Sequence, residues 1–214
     1  MLRNPTGLSH AVVALLGATV VIDLFSVFAT SELHAAVTGR PAGDVSPLLF
    51  AQGIVAVAAL LQILALVATA TLFIIWFHRL RQNAGVWAGD LQGRSAGWAI
   101  GAWFIPIANL WMPRGIAADI WRSSRAEPFG ADRPRELLLL NGWWTVFVLD
   151  AIVARGASRA YEKADEFEEY ASAAKWLYLS DALNIVAAVL TIFFVRRLTS
   201  MQHAKATGMI PAAD

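Results

Sequence analysis

The sequence predicts an all-α integral membrane protein: a four-helix bundle with a proline-broken re-entrant or interfacial segment between its second and third spans. Three observations carry that prediction. Charged residues make up only 15% of the 214-residue chain, against 57% hydrophobic residues, whereas soluble domains carry about 25% charged. The apolar residues gather in four blocks, each near the roughly 20 residues that a spanning helix needs. The lysines and arginines fall unevenly among the segments that join those blocks.

The first block covers about residues 10–30, HAVVALLGATVVIDLFSVFAT. With Arg3 ahead of it and VFA near its end it has a signal-peptide look, but its apolar stretch is long enough to stay as a span. The second, about residues 48–77, contains IVAVAALLQILALVATATLFIIWF and exceeds the usual length, so it should tilt or protrude. The third, LLLLNGWWTVFVLDAIVA, covers 137–154, and the fourth, WLYLSDALNIVAAVLTIFFV, covers 176–195. Between these two lies RGASRAYEKADEFEEYASAAK, charged throughout and read as a solvated helical extension. One transmembrane domain over residues 1–200 and a short cytoplasmic tail over 201–214 complete the layout.

A fifth apolar stretch, WAIGAWFIPIANLWM, is harder to place. It has fifteen residues before Pro113 and Arg114, which suits a re-entrant or interfacial segment better than a span. Pro106 removes a backbone donor, and the freed carbonyls need protein or a wet cavity beside them. Charge supports the same reading. Four spans with both termini in the cytoplasm put twelve Lys and Arg inside and five outside, whereas five spans give eight against nine. The positive-inside rule therefore favours four spans and a segment, residues 98–125, that enters and returns on the cytoplasmic side. Its second half, RGIAADIWRSSR, would present Ile116, Ile120 and Trp121 on one side, with Arg122 and Arg125 reaching headgroups, or form a plain loop helix.

Two stretches carry a family resemblance: WFHRLRQNA, which closes the second span, and GWAIGAWFIPIANLWMPRGIAADIWRSS after a short linker. Together they resemble the bacterial membrane family called domain of unknown function 4328, over roughly residues 48–197. The matching positions are Trp76, Arg79, Asn83, Trp98, Trp103, Pro106, Asn109, Pro113 and Trp121. Asp119 stands where the family carries a Glu, a longer carboxylate. The resemblance implies a multi-span fold in the bacterial cytoplasmic membrane and implies no activity.

Two groups of residues are candidates for function. One is a polar layer inside the spans: Asp23, Gln52, Asp150, Asp181 and Asn184. Counted from the ends of the apolar blocks, Asp23, Gln52, Asp150 and Asp181 lie within about 6–11 Å of the outer surface, and Asn184 follows Asp181 at i+3 on the same helix face. Carboxylates crowded there would bind a cation or pass a proton; the plainer reading is that water reaches them near the span ends. The other group is cytoplasmic: Arg79, Arg81, Asn83, Trp98, Trp103, Pro106, Asn109, Pro113 and Arg114. Arginines offer forked donors to phosphate, so the leading expectation is a non-enzymatic protein that binds an anionic lipid or another membrane protein there. The plainer reading is topology plus aromatic anchoring. A lipid-modifying enzyme is a further alternative, though no nucleophile or metal set accompanies the acids. With no cysteine and four scattered histidines, no metal or cofactor is expected. A net charge of +1 gives no case for nucleic acid.

Overall fold

The computed structural model describes residues 2–39 and 45–208, and every regular element among them is helical. Four helices are long and apolar enough to cross a membrane: α1 (Thr6–Thr38), α2 (Ser46–Trp87), α5 (Leu138–Glu162) and α6 (Phe167–Ala206). Between α2 and α5 lie only α3 (Trp98–Gly101), α4 (Met112–Ser123) and two 3-10 turns. The chain is a multi-pass, all-α membrane protein with four spans, as its sequence predicts. Arg40, counted with the outer charges, and residues 209–214 of the tail lie outside the described residues.

The helices outrun the apolar blocks that announce them, at 33, 42, 25 and 40 residues. Hydropathy marks the stretch that faces lipid, whereas the helix continues wherever polar residues still favour it. The charged 155–175 stretch is thus two helix ends separated by a short break. Glu169 starts α6 by accepting the backbone N–H of Asp165 at 2.8 Å and of Glu166 at 3.3 Å, which satisfies donors that a helix start leaves open. At the other end, α6 runs beyond residue 200 to Ala206. Gln202 and Lys205 are anchored there, so the expected tail begins later than its polarity suggests.

The chain divides into two compact units. One comprises Leu15–Ala68 and Thr145–Val189. Its core includes Ala29, Leu33, Ala36, Ala51, Val55 and Ala58, with Phe25, Tyr161 and Tyr170 packed against it. Small residues let helix backbones approach closely, which is how spanning helices pack without a hydrophobic drive between them.

The other unit comprises Met1–Ala14, Thr69–Trp144 and Leu190–Asp214, and is built on aromatic rings. Trp143 stacks on Phe194 with centroids 4.2 Å apart, and Trp121 lies nearly parallel to Phe194 at 6.4 Å. Phe73 and Phe77 meet Trp103 edge-on. The indole N–H groups bond Thr199 from Trp76, Thr191 from Trp143 and the Leu110 carbonyl from Trp144, each at 3.0 Å. Buried tryptophans need such partners.

The WFIPIANLWMP stretch belongs to this unit and forms no spanning helix. The chain leaves at Gln92 and is back beside it at Ser123, whose hydroxyl accepts from the Gln92 amide at 2.6 Å. At the turn, the Ala108 N–H bonds the Pro106 carbonyl at 2.7 Å, with Ile107 at φ 66 and ψ −55. That is a γ-turn of the rare positive-φ kind, and its centre is a β-branched residue. Around it Phe104, Ile107 and Trp111 are exposed. Of the two readings of α4, the loop helix fits: Ile116, Ile120 and Trp121, which an interfacial helix would turn to lipid, are all buried in protein. Pro113 sits in the first turn of α4, where its missing N–H costs nothing.

Replacing Ile107 by Gly should relieve this turn. A residue held in such a region costs about 1–3 kcal/mol, so Ile107→Gly should raise the unfolding temperature in detergent, whereas Ile107→Val should not. An equal or lower Tm for the glycine variant would mean the γ-turn is not strained.

Candidate functional site

Within the Leu15–Ala68 and Thr145–Val189 unit, polar groups from different helices meet inside the spanning segments. Asp23 on α1 is fully buried and Asp181 on α6 is 4% exposed. The Gln62 amide on α2 donates to both, at 3.0 Å to Asp23 Oδ1 and 3.0 Å to Asp181 Oδ1. Its two N–H groups are thereby divided between two carboxylates. Asn184 donates a further bond to Asp23 Oδ1 at 3.3 Å, and the Ser26 hydroxyl serves Asp181. Asp150 on α5 is near enough for the charges of Asp23 and Asp181 to act on it. Asp23 Oδ2, Asp181 Oδ2 and Asp150 Oδ1 are buried and have no hydrogen-bond partner among the described residues.

Four of the five residues of the expected layer are therefore brought together, and its fifth is replaced. Gln52 does not join; Gln62, ten residues further along α2, takes its place. The reason is depth. Asp23 precedes the end of α1 at Thr38 by fifteen residues, and Gln62 follows the start of α2 at Ser46 by sixteen. Asp150 is twelve before the end of α5, and Asp181 fourteen after the start of α6. All four thus lie about 18–24 Å from their helix ends. The cluster lies deeper in the helices than the apolar blocks imply. Gln62 is the residue that the sequence reading missed. Its signal is a lone amide in the longest apolar run, costly unless another helix answers it.

The cytoplasmic candidates all fall in the aromatic unit, where most of them bond their own chain. The Asn83 amide pairs with the Arg3 backbone, accepting at 2.8 Å and donating at 2.8 Å, and donates also to Gln202 at 3.0 Å. Gln202, 1% exposed, donates in turn to the Leu80 carbonyl and the Ser124 hydroxyl. Arg79 donates to the Asn4 carbonyl at 2.8 Å. Arg114 donates to Asn141 at 2.6 Å. Arg81 is buried and donates to the Arg94 carbonyl. Burial pushes the Asp119 carboxyl up, against the Gly93 N–H and the charges of Arg122, Arg94 and Arg81. Trp98 is 38% exposed at the start of α3, Trp103 sits among the rings of Phe73, Phe77 and Trp144, and Pro106 opens the γ-turn. Asn109 gives its backbone N–H to the Ile105 carbonyl, and the Trp144 indole meets the Leu110 carbonyl.

The family described as Domain of unknown function (DUF4328) matches residues 41–200. The chain belongs to that family. Comparisons with curated proteins and with solved structures found no match. In this DUF4328 chain the matched range contains Gln62, Asp150, Asp181 and Asn184, while Asp23 lies before it. The positions that carry the resemblance, from Trp76 to Trp121, all build the aromatic unit.

Removing the bridging amide leaves two buried carboxylates short of a donor, a loss worth about 1–3 kcal/mol. Gln62→Leu should therefore lower the Tm of the detergent-solubilised protein, whereas Asp23→Asn, which replaces a buried ionisable carboxyl by a neutral amide of the same shape, should leave it unchanged or raise it. Equal behaviour of the two variants would mean that Gln62 does not bridge the acids.

Proposed function

We propose that this protein takes up and releases a proton at the Asp23–Gln62–Asp181 cluster, within a multi-pass bundle of the bacterial cytoplasmic membrane whose termini both face the cytoplasm. One observation carries the reading: a single amide serves two buried carboxylates, and an oxygen of each is left without a partner. A bare charge inside a span costs about 2.5–3.5 kcal/mol on insertion scales. Neither Asp23 nor Asp181 is hydrogen-bonded or ion-paired to a Lys, Arg or His among the described residues. A proton removes that cost with no further ligand. A metal ion asks for a converging ligand set, and among the described residues no three His, Cys, Asp or Glu side chains form one. Asn184 and Ser26 orient the two acids, and Asp150 is the neighbouring acid with which a proton would be exchanged.

The reading favours the outer polar layer over the arginine–tryptophan surface as the active part of the molecule.

Protein reconstituted in liposomes that enclose a pH-sensitive dye tests this. The wild type should collapse an imposed pH gradient, and Asp23→Asn and Asp181→Asn should each slow the collapse at least tenfold. Flux equal in all three would contradict the proposal. So would a flux that follows a sodium gradient and ignores pH, which would make the site one for a metal cation.

A further inference from the structure

The aromatic unit holds a second site, of opposite charge. A cavity of about 970 Å³ opens between α4, the loop leading into α5, and the last turns of α6. Its polar rim carries Arg133, Arg135 and Arg197, and its apolar wall carries Leu138, Phe193 and Met201. We infer that this cavity binds the phosphate headgroup of an anionic membrane phospholipid, with the first part of an acyl chain against Leu138 and Phe193.

Charge comes first. Five cationic side chains line the cavity against two carboxylates, Glu127 and Glu136. Two of the five are occupied. Arg125 pairs with Asp132 at 2.9 Å and with Glu136 at 3.2 Å, and Lys205 donates to the Ser123 and Arg125 carbonyls at 2.8 and 2.7 Å. Among the described residues no carboxylate pairs with Arg133, Arg135 or Arg197. The occupied pair closes the end of α4, where a cation belongs, and the three remaining guanidiniums are exposed and available. Planar guanidiniums suit the fork geometry of a phosphate.

Level in the membrane comes second. Phe193 and Arg197 are one helical turn apart on α6, and the sequence turns from apolar to basic between Val195 and Arg196. On the other wall, Leu138 begins α5 three residues after Arg135. Leu138 is 65% exposed and Phe193 53% exposed. The cavity therefore has its charges just beyond the apolar boundary and its apolar wall just within it. A soluble anion would use only the rim; an amphiphile uses both parts. Basic pockets at this level between spanning helices are where phospholipid headgroups are held.

Backbone strain comes third. Arg135 has φ +64, the left-handed region that side chains seldom adopt. The Glu136 carboxylate accepts the Arg133 N–H at 3.0 Å and pairs with Arg125, which ties the loop carrying both rim arginines to α4. Arg135→Gly therefore removes a guanidinium while supplying the residue type that best tolerates this backbone conformation.

Native mass spectrometry of protein released from nanodiscs tests the inference, using discs of phosphatidylglycerol and of phosphatidylcholine. The wild type should retain phosphatidylglycerol and not phosphatidylcholine. Arg135→Gly should reduce retention several-fold, and Arg133→Ala/Arg135→Gly/Arg197→Ala at least tenfold. Arg155→Ala/Arg159→Ala, on the far end of α5, should leave it unchanged. Equal retention by wild type and triple variant, or equal retention of both lipids, would overturn the assignment. Full displacement of the lipid by millimolar inorganic phosphate would overturn it too, in favour of a site for a soluble anion.

Discussion

Inside a bilayer a polar group cannot turn to water, so it must find its partner within the protein. This constraint explains more of the molecule than any count of apolar contacts. Gln62 stands alone in the longest apolar run, and it is answered by Asp23 from α1 and Asp181 from α6. The match fixes which residues of α1, α2 and α6 lie at one level. Slipping any of these helices by a turn would separate one carboxylate from the amide. Small residues allow the close approach, as Ala29, Ala51 and Ala58 show in the same unit, but contacts among alanines specify register weakly. The polar cluster specifies it, and leaves three carboxylate oxygens in excess of the donors present.

The aromatic unit obeys the same constraint by other means. Proline and the γ-turn at Ile107 disturb the backbone there, and an indole meets the Leu110 carbonyl. Asn83 and Gln202 join the N-terminal strand of chain, α2 and α6 through a chain of amides. Several arginines that a sequence reader assigns to a ligand are spent in this way. Arg79 and Arg81 cap backbone carbonyls, and Arg122 and Arg125 share Asp132. Among the described residues, Arg133, Arg135 and Arg197, ahead of α5 and near the end of α6, are paired with no carboxylate.

Much of this was legible in the sequence, for identifiable reasons. Four apolar blocks and the uneven placement of arginine give four spans. Two prolines in WFIPIANLWMP give the break. Acids in apolar blocks give the polar layer, because so few other residues there are charged. Helix ends were not legible, since hydropathy reports lipid contact and the helices continue into polar sequence such as YEKADEFEEY. Depth counted from the apolar blocks is therefore too shallow, and it points to Gln52, whereas Gln62 is the amide that meets the acids. The side that α4 presents to protein was also hidden: Ile116, Ile120 and Trp121 make an amphipathic stripe whether lipid or Phe194 covers it. Nor does composition reveal which arginines are engaged, because that depends on carbonyls and carboxylates brought close by the fold.

The most direct measurement is infrared spectroscopy of the reconstituted protein in water and in heavy water at neutral pH. A protonated carboxyl has a carbonyl band well separated from that of carboxylate, and the band shifts on deuteration. The account requires such a band in the wild type, diminished in Asp23→Asn and in Asp181→Asn, and exchanging with solvent. A spectrum with no protonated-carboxyl band at neutral pH, or with a band that both variants leave intact, would contradict it.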